Sequence, residues 1–99
     1  MSFVVAPRAR QDLREIEDYS ARRWGERQAA IYMADLDAGI DKVSARPTLG
    51  RAVPGAPGTR LFRVRSHYLV YRDQLDGGGI EFLRVLHQSM NFGPRLREP

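Results

Sequence analysis

Cysteine is absent from the 99 residues, which removes disulfides, thiolate nucleophiles and cysteine-bound metal together. Histidine occurs only at His67 and His87, too few to hold zinc without a carboxylate cluster beside them. No metal and no cofactor is therefore expected. No apolar run approaches the ~20 residues of a membrane span. The opening Met1-Ser2-Phe3-Val4-Val5 lacks the basic and apolar regions of a signal peptide. The expectation is a cytoplasmic chain that makes no membrane contact.

What is present describes one globular domain over residues 1–99, with 42% hydrophobic and 28% charged residues. The net charge of +4 is unevenly placed. Residues 1–46 carry eight basic and eight acidic side chains; residues 47–99 carry eight arginines against Asp73, Asp76, Glu81 and Glu98. Fifteen of the sixteen basic residues are arginine, whose planar fork suits carboxylates and phosphates. A GC-rich genome produces the same bias; the functional alternatives are an acidic partner or a nucleic acid.

The hydrophobic period assigns the elements. Ser2–Val5 reads as an edge strand, and Pro7 sits where a helix tolerates proline, in its first turn. Ala9, Leu13, Ile16 and Ser20 fall on one helical face, with Tyr19 and Trp24 beside it. Gly25 punctuates, and Trp24 beside it is expected to seal the hairpin core. Ala29, Met33, Leu36, Ile40 and Val43 then make a second apolar seam, which ends before Pro47. Two helices with so short a link must pair as an antiparallel hairpin. Residues 47–59, "PTLGRAVPGAPGT", read as a surface loop.

The period then drops to two. Arg60–Arg65, His67–Arg72 and Ile80–His87 read as strands, the last two joined through Asp76-Gly77-Gly78-Gly79. The expected fold is α+β, in the order β-α-α-β-β-β. An antiparallel sheet would carry the helical hairpin on one face, since neither layer can bury its apolar side alone. Leu36 and Ile40, midway along the cleaner seam, should lie at the centre of that interface.

Four stretches, "YSARRWGERQAAIY", "ARPTLGR", "SHYLVYR" and "RVLHQSM", resemble in order and spacing the ParE branch of the ParE/RelE toxin superfamily. The resemblance runs from Ala9 to about Met90. It implies the RelE/ParE-like fold and a toxin of a type II toxin–antitoxin pair. The implied partners are DNA gyrase, inhibited by binding, and a ParD-like ribbon-helix-helix antitoxin. That antitoxin would neutralise the toxin in a heterotetramer or larger assembly and carry it to operator DNA. The alternative within the superfamily is a RelE-like, ribosome-dependent, metal-independent mRNA endoribonuclease.

Candidate residues divide along those readings. A ribonuclease would draw on Arg65, Arg72, Arg84 and His87, a histidine moving the proton while arginines stabilise the phosphorane charge. A regular strand sends positions 84 and 87 to opposite faces, and no tyrosine follows Tyr71. No catalytic residue is therefore expected. Antitoxin binding falls to Arg63, Arg65 and Arg72, taken to converge on one sheet face, with apolar Val64, Leu69 and Leu83 (and Val70) exposed among them. Residues 88–99 form either a flexible or a partner-binding tail. Met90, Phe92, Arg95 and Leu96 are its gyrase-contact candidates.

Overall fold

The computed structural model describes residues 3–89. Strand β1 (Phe3–Val5) leads into helix α1 (Pro7–Trp24) and helix α2 (Glu26–Ala45). A single turn of 3₁₀ helix (Pro47–Leu49) precedes strands β2 (Arg51–Ala52), β3 (Thr59–Val64), β4 (His67–Asp73) and β5 (Ile80–His87). The helices break at Gly25, whose φ of +93° is left-handed backbone that favours glycine.

The α+β order read from the sequence stands, and pairing adds two features. The Pro/Gly-rich segment supplies β2, which pairs antiparallel with β3 through Arg51↔Leu61 and Ala52↔Arg60. At the other edge β1 joins β5 in parallel, Phe3 opposite Ile80 and Val5 opposite Phe82. The sheet is thus five-stranded and mixed, in the order β1-β5-β4-β3-β2.

Two irregularities shape the end of the sheet that the site occupies. Arg65 turns out of β3 with φ +53°, because Val64 pairs with His67 and leaves a two-residue hairpin loop. On β5 the register slips: Tyr71 faces Phe82, whereas Val70 faces Arg84. Leu83 is the extra residue of a β-bulge.

The helices cover one face. Ile16, Leu36, Ile40, Val43, Leu69, Tyr71, Ile80, Phe82 and Val85 form the main core, with Leu36 wholly buried at its centre, as the seam required. Gly39, a helix-interior glycine, is explained by close approach: a Cβ there would lie 2.5 Å from Val64 Cγ2. The opposite face carries a smaller cluster of Leu61, Val70 and Leu86, flanked by Val53, Tyr68 and Leu83.

Trp24 departs from expectation. It is 55% exposed and stacks edge-on against equally exposed Tyr19 instead of sealing the core. Smaller residues of the helices, Ala9, Ser20 and Ala29, are buried instead. At the far end of the sheet the buried Tyr71 phenol donates to Pro47 O at 2.6 Å and accepts from the Gly50 N–H at 2.8 Å. Burial raises its pKa above the ordinary value.

Leu36→Ala should cost ~2–5 kcal/mol by leaving a cavity in that core. Tyr71→Phe should cost ~1–3 kcal/mol, because it strands a buried amide and carbonyl. Urea unfolding measures both, and a wild-type midpoint in either variant would contradict the packing described.

Candidate functional site

A cleft of about 690 Å³ opens between α1, Tyr32 of α2 and the ends of β4 and β5. Its α1 wall runs from Asp12 through Ile16, Tyr19, Ser20 and Arg23 to Trp24, about 18 Å of helix at 1.5 Å per residue. Ser66, His67, Val85, His87 and Ser89 line the other side.

Asp12 fixes this wall. Its Oδ2 accepts from Arg84 Nε at 2.9 Å and from the Val85 amide at 2.9 Å, while Oδ1 accepts from Arg84 Nη2 at 3.1 Å. Both side chains are only 12% exposed. β1 covers β5 no further than Phe82, so Asp12 satisfies a strand amide that β1 does not reach.

The two histidines meet as a cross-strand pair, rings edge to face with centroids 5.2 Å apart. Tyr32 Oη lies 2.6 Å from His67 Nδ1 and accepts from the Ser66 amide at 3.2 Å. The arrangement that satisfies all three groups has the phenol donating to Nδ1, which leaves the His67 proton on Nε2. His87 Nδ1 accepts from the Ser89 amide at 3.1 Å, so its proton also belongs on Nε2. Desolvation by burial, and then the neighbouring His87, lower His67 to about 4 against an opposing pull from Asp12. At neutral pH the ring is an uncharged donor.

The expected site residues separate. Arg65 leaves the strand at its left-handed turn and swings to the helix side, where it pairs with Asp35 and lies over the Tyr32 ring. Arg63 and Arg72 stay on the opposite face by strand alternation. Arg63 bonds Gln88 Oε1 at 2.6 Å, and Arg72 pairs with Glu81 at 3.3 Å. The three arginines therefore do not converge.

Two apolar assignments are corrected as well. Leu69 is wholly buried in the helix-side core and Val64 packs against that core, so neither offers a partner surface. The cause is parity: β4 turns Leu69 toward the helices and Val70 away from them. Val70, also wholly buried, and partly buried Leu83 lie on the opposite face. Met90, Phe92, Arg95 and Leu96 lie outside the described residues.

The four residues of the ribonuclease alternative are not assembled. Arg65, Arg72 and Arg84 are each held by a carboxylate. Arg72 pairs near the far end of β4 from His67 and His87, about 17 Å along the strand at ~3.4 Å per residue. Asp12, Tyr32 and His67, which build the cleft, were not singled out in sequence. Only an exact hairpin register would have paired His67 with His87, and the bulge hides it.

A helical hairpin on one face of a mixed five-stranded sheet, with a long cleft beside its first helix, defines a small α+β domain. Residues 3–92 match the family described as ParE toxin of type II toxin-antitoxin system, parDE. Toxin ParE1 of Mycobacterium tuberculosis (strain ATCC 25618 / H37Rv) is 40% identical over 95 residues, covering 95% of this chain and 96% of its own. Toxin ParE1 of Caulobacter vibrioides is 41% identical with the same coverage. Among solved structures, the chromosomal ParDE TA system from P. aeruginosa superposes with TM-score 0.76 at 22% identity, covering 88% of this chain and 95% of that one. The chain belongs to the ParE toxin family of type II toxin–antitoxin systems. Among the described residues no helix is long and apolar enough to cross a membrane.

The lowered His67 pKa fixes a pH window. Unfolded, the ring takes its proton near 6.5; folded, it does so only near 4. The unfolded state therefore binds more protons between those values, and stability falls as pH drops from 6.5 to 4. His67→Gln should flatten that part of the stability curve. An unchanged slope, read from unfolding midpoints at stepped pH, would contradict the buried neutral ring.

Proposed function

We propose that this chain inhibits DNA gyrase by binding it, and that a ParD-like ribbon-helix-helix antitoxin neutralises it. The observation that carries this reading is the match to the parDE toxin family across residues 3–92. The separation of the arginines supports binding over phosphate chemistry, since each arginine a ribonuclease would need is already held by a carboxylate. Gyrase as target puts the chain's work in the cytoplasm. The antitoxin joins it in a heterotetramer or larger complex and brings it to operator DNA. In this reading the tail residues Met90, Phe92, Arg95 and Leu96 contact gyrase.

Arg63 and Arg72, with Leu83 on the same face, face the antitoxin across the sheet side that the helices leave uncovered. Arg51, over the Tyr68 ring at 5.7 Å, adds a further cation there. Such charges chiefly steer encounter and select the partner.

Purified chain at stoichiometric excess should abolish gyrase supercoiling, and the antitoxin should restore it. Unchanged supercoiling, or message cleavage on ribosomes that His87→Ala abolishes, would overturn the proposal. Arg63→Glu with Arg72→Glu should slow antitoxin association at low salt by roughly tenfold and flatten its salt dependence. An unchanged association rate would remove that face from recognition.

A further inference from the structure

At the end of the sheet away from the cleft, the turn between β4 and β5 carries a reactive sequence. It reads Gln74-Leu75-Asp76-Gly77-Gly78-Gly79. Asp76 is exposed, and its neighbour Leu75 is 96% exposed. An aspartyl side chain is attacked most readily by the following backbone nitrogen when that residue is glycine, which has no Cβ to hinder the approach. Asp76 is the only aspartate of the chain followed by glycine.

The turn geometry favours that attack. Gly78 N–H donates to Asp76 Oδ1 at 2.9 Å, an Asx turn that folds the carboxyl group toward the backbone of Gly77 and Gly78. The same bond draws electron density from the carboxyl carbon. Opposing the attack is one bond in an exposed turn, from Gly77 N–H to Gln74 O at 3.0 Å. The other six aspartates are placed differently. Asp12 and Asp18 lie in α1, and Asp35, Asp37 and Asp41 in α2, where the following amide belongs to the helix ladder. Asp73 ends β4, and the amide after it, Gln74 N–H, closes the hairpin on Gly79 O at 2.8 Å.

We propose that Asp76 is a modification site, at which the native chain isomerises spontaneously to isoaspartate. The Gly77 nitrogen attacks the carboxyl carbon of protonated Asp76. The new C–N bond closes a cyclic imide, and the Gly77 amide proton leaves with the carboxyl hydroxyl as water. Water then opens the ring. Addition at the former side-chain carbonyl restores aspartate; addition at the main-chain carbonyl leaves isoaspartate, with the backbone running through Cβ and Cγ. No atom is gained or lost overall, and nothing is oxidised or reduced. The main chain lengthens by one atom, which Gly78 and Gly79, the latter at φ +119°, can take up. Beyond the turn, the Asp73↔Ile80 pair and the buried Ile80 side chain hold the strands. The freed α-carboxylate stands on an exposed loop tip, accessible to an enzyme that methylates isoaspartyl groups. None of this depends on the gyrase or antitoxin readings.

The experiment ages the full folded chain at neutral pH and physiological temperature. Isoaspartyl methyltransferase with labelled S-adenosylmethionine then probes the intact chain, and trypsin releases residues 73–84 as one peptide, cutting after Arg72 and Arg84. Aged chain should yield a second form of that peptide, equal in mass and different in retention, with fragments that place the isomer at Asp76 and not at Asp73. Methyl label should fall on this peptide alone. Asp76→Glu, whose longer side chain would have to close a larger ring, should lose both signals. Asp76→Asn, from which ammonia leaves in place of water, should take up label faster than the parent chain. A single form of the peptide without label in the aged parent chain would overturn the proposal. So would an isomer at Asp73, label spread over the peptides of the other aspartates, or undiminished label in Asp76→Glu.

Discussion

The structure depends on one carboxylate. Asp12, on the second turn of α1, meets the side chain of Arg84 and the backbone of Val85, contacts separated by more than seventy positions in sequence. It neutralises a cation that is nearly buried, and it supplies the acceptor for a β5 amide that no strand reaches. Removing one partner of such a pair leaves an uncompensated charge in a poor solvent for it, which costs far more than a surface ion pair contributes. The docking of α1, the exposure of the β5 edge and the shape of the cleft all follow from this contact.

The asymmetry between the two sheet edges follows from the same arrangement. β1 is only three residues long and pairs with the first residues of β5, after which the chain leaves the sheet as α1. The rest of β5 is bordered by a helix, and a helix cannot continue a hydrogen-bonding ladder. Asp12 provides for one amide, and the cleft lies along the remainder.

The fold was largely legible in the sequence because its signals are periodic. The seam through Leu36 and Ile40, the break at Gly25 and the alternation after Arg60 each report a local period, and each element formed where that period placed it. What could not be read depends on registers and turns. The bulge at Leu83 changes strand parity by one residue, and with it the partner of His67 and the reach of Arg84. The left-handed turn at Arg65 takes that arginine off the face it would share with Arg63. Leu69 and Val70 are equally apolar neighbours in a run with no alternation to say which faces the helices. Trp24 misled for a different reason: a large aromatic beside a helix-ending glycine is as compatible with an exposed aromatic pair, here with Tyr19, as with a core cap. The site residues missed outright, Asp12 and Tyr32, stand on the polar flanks of their helices, and only tertiary contacts distinguish them from solvated side chains.

A double-mutant cycle on Asp12 and Arg84 tests most directly whether that contact organises the molecule. Asp12→Ala, Arg84→Ala and the double variant would be compared with the parent chain by urea unfolding. The account predicts a coupling of about 2 kcal/mol or more, near the upper end for residues in direct contact, with the double variant far less destabilised than the two single losses combined. Additivity to within about 0.5 kcal/mol would contradict it, and would reduce Asp12 to one helix carboxylate among several.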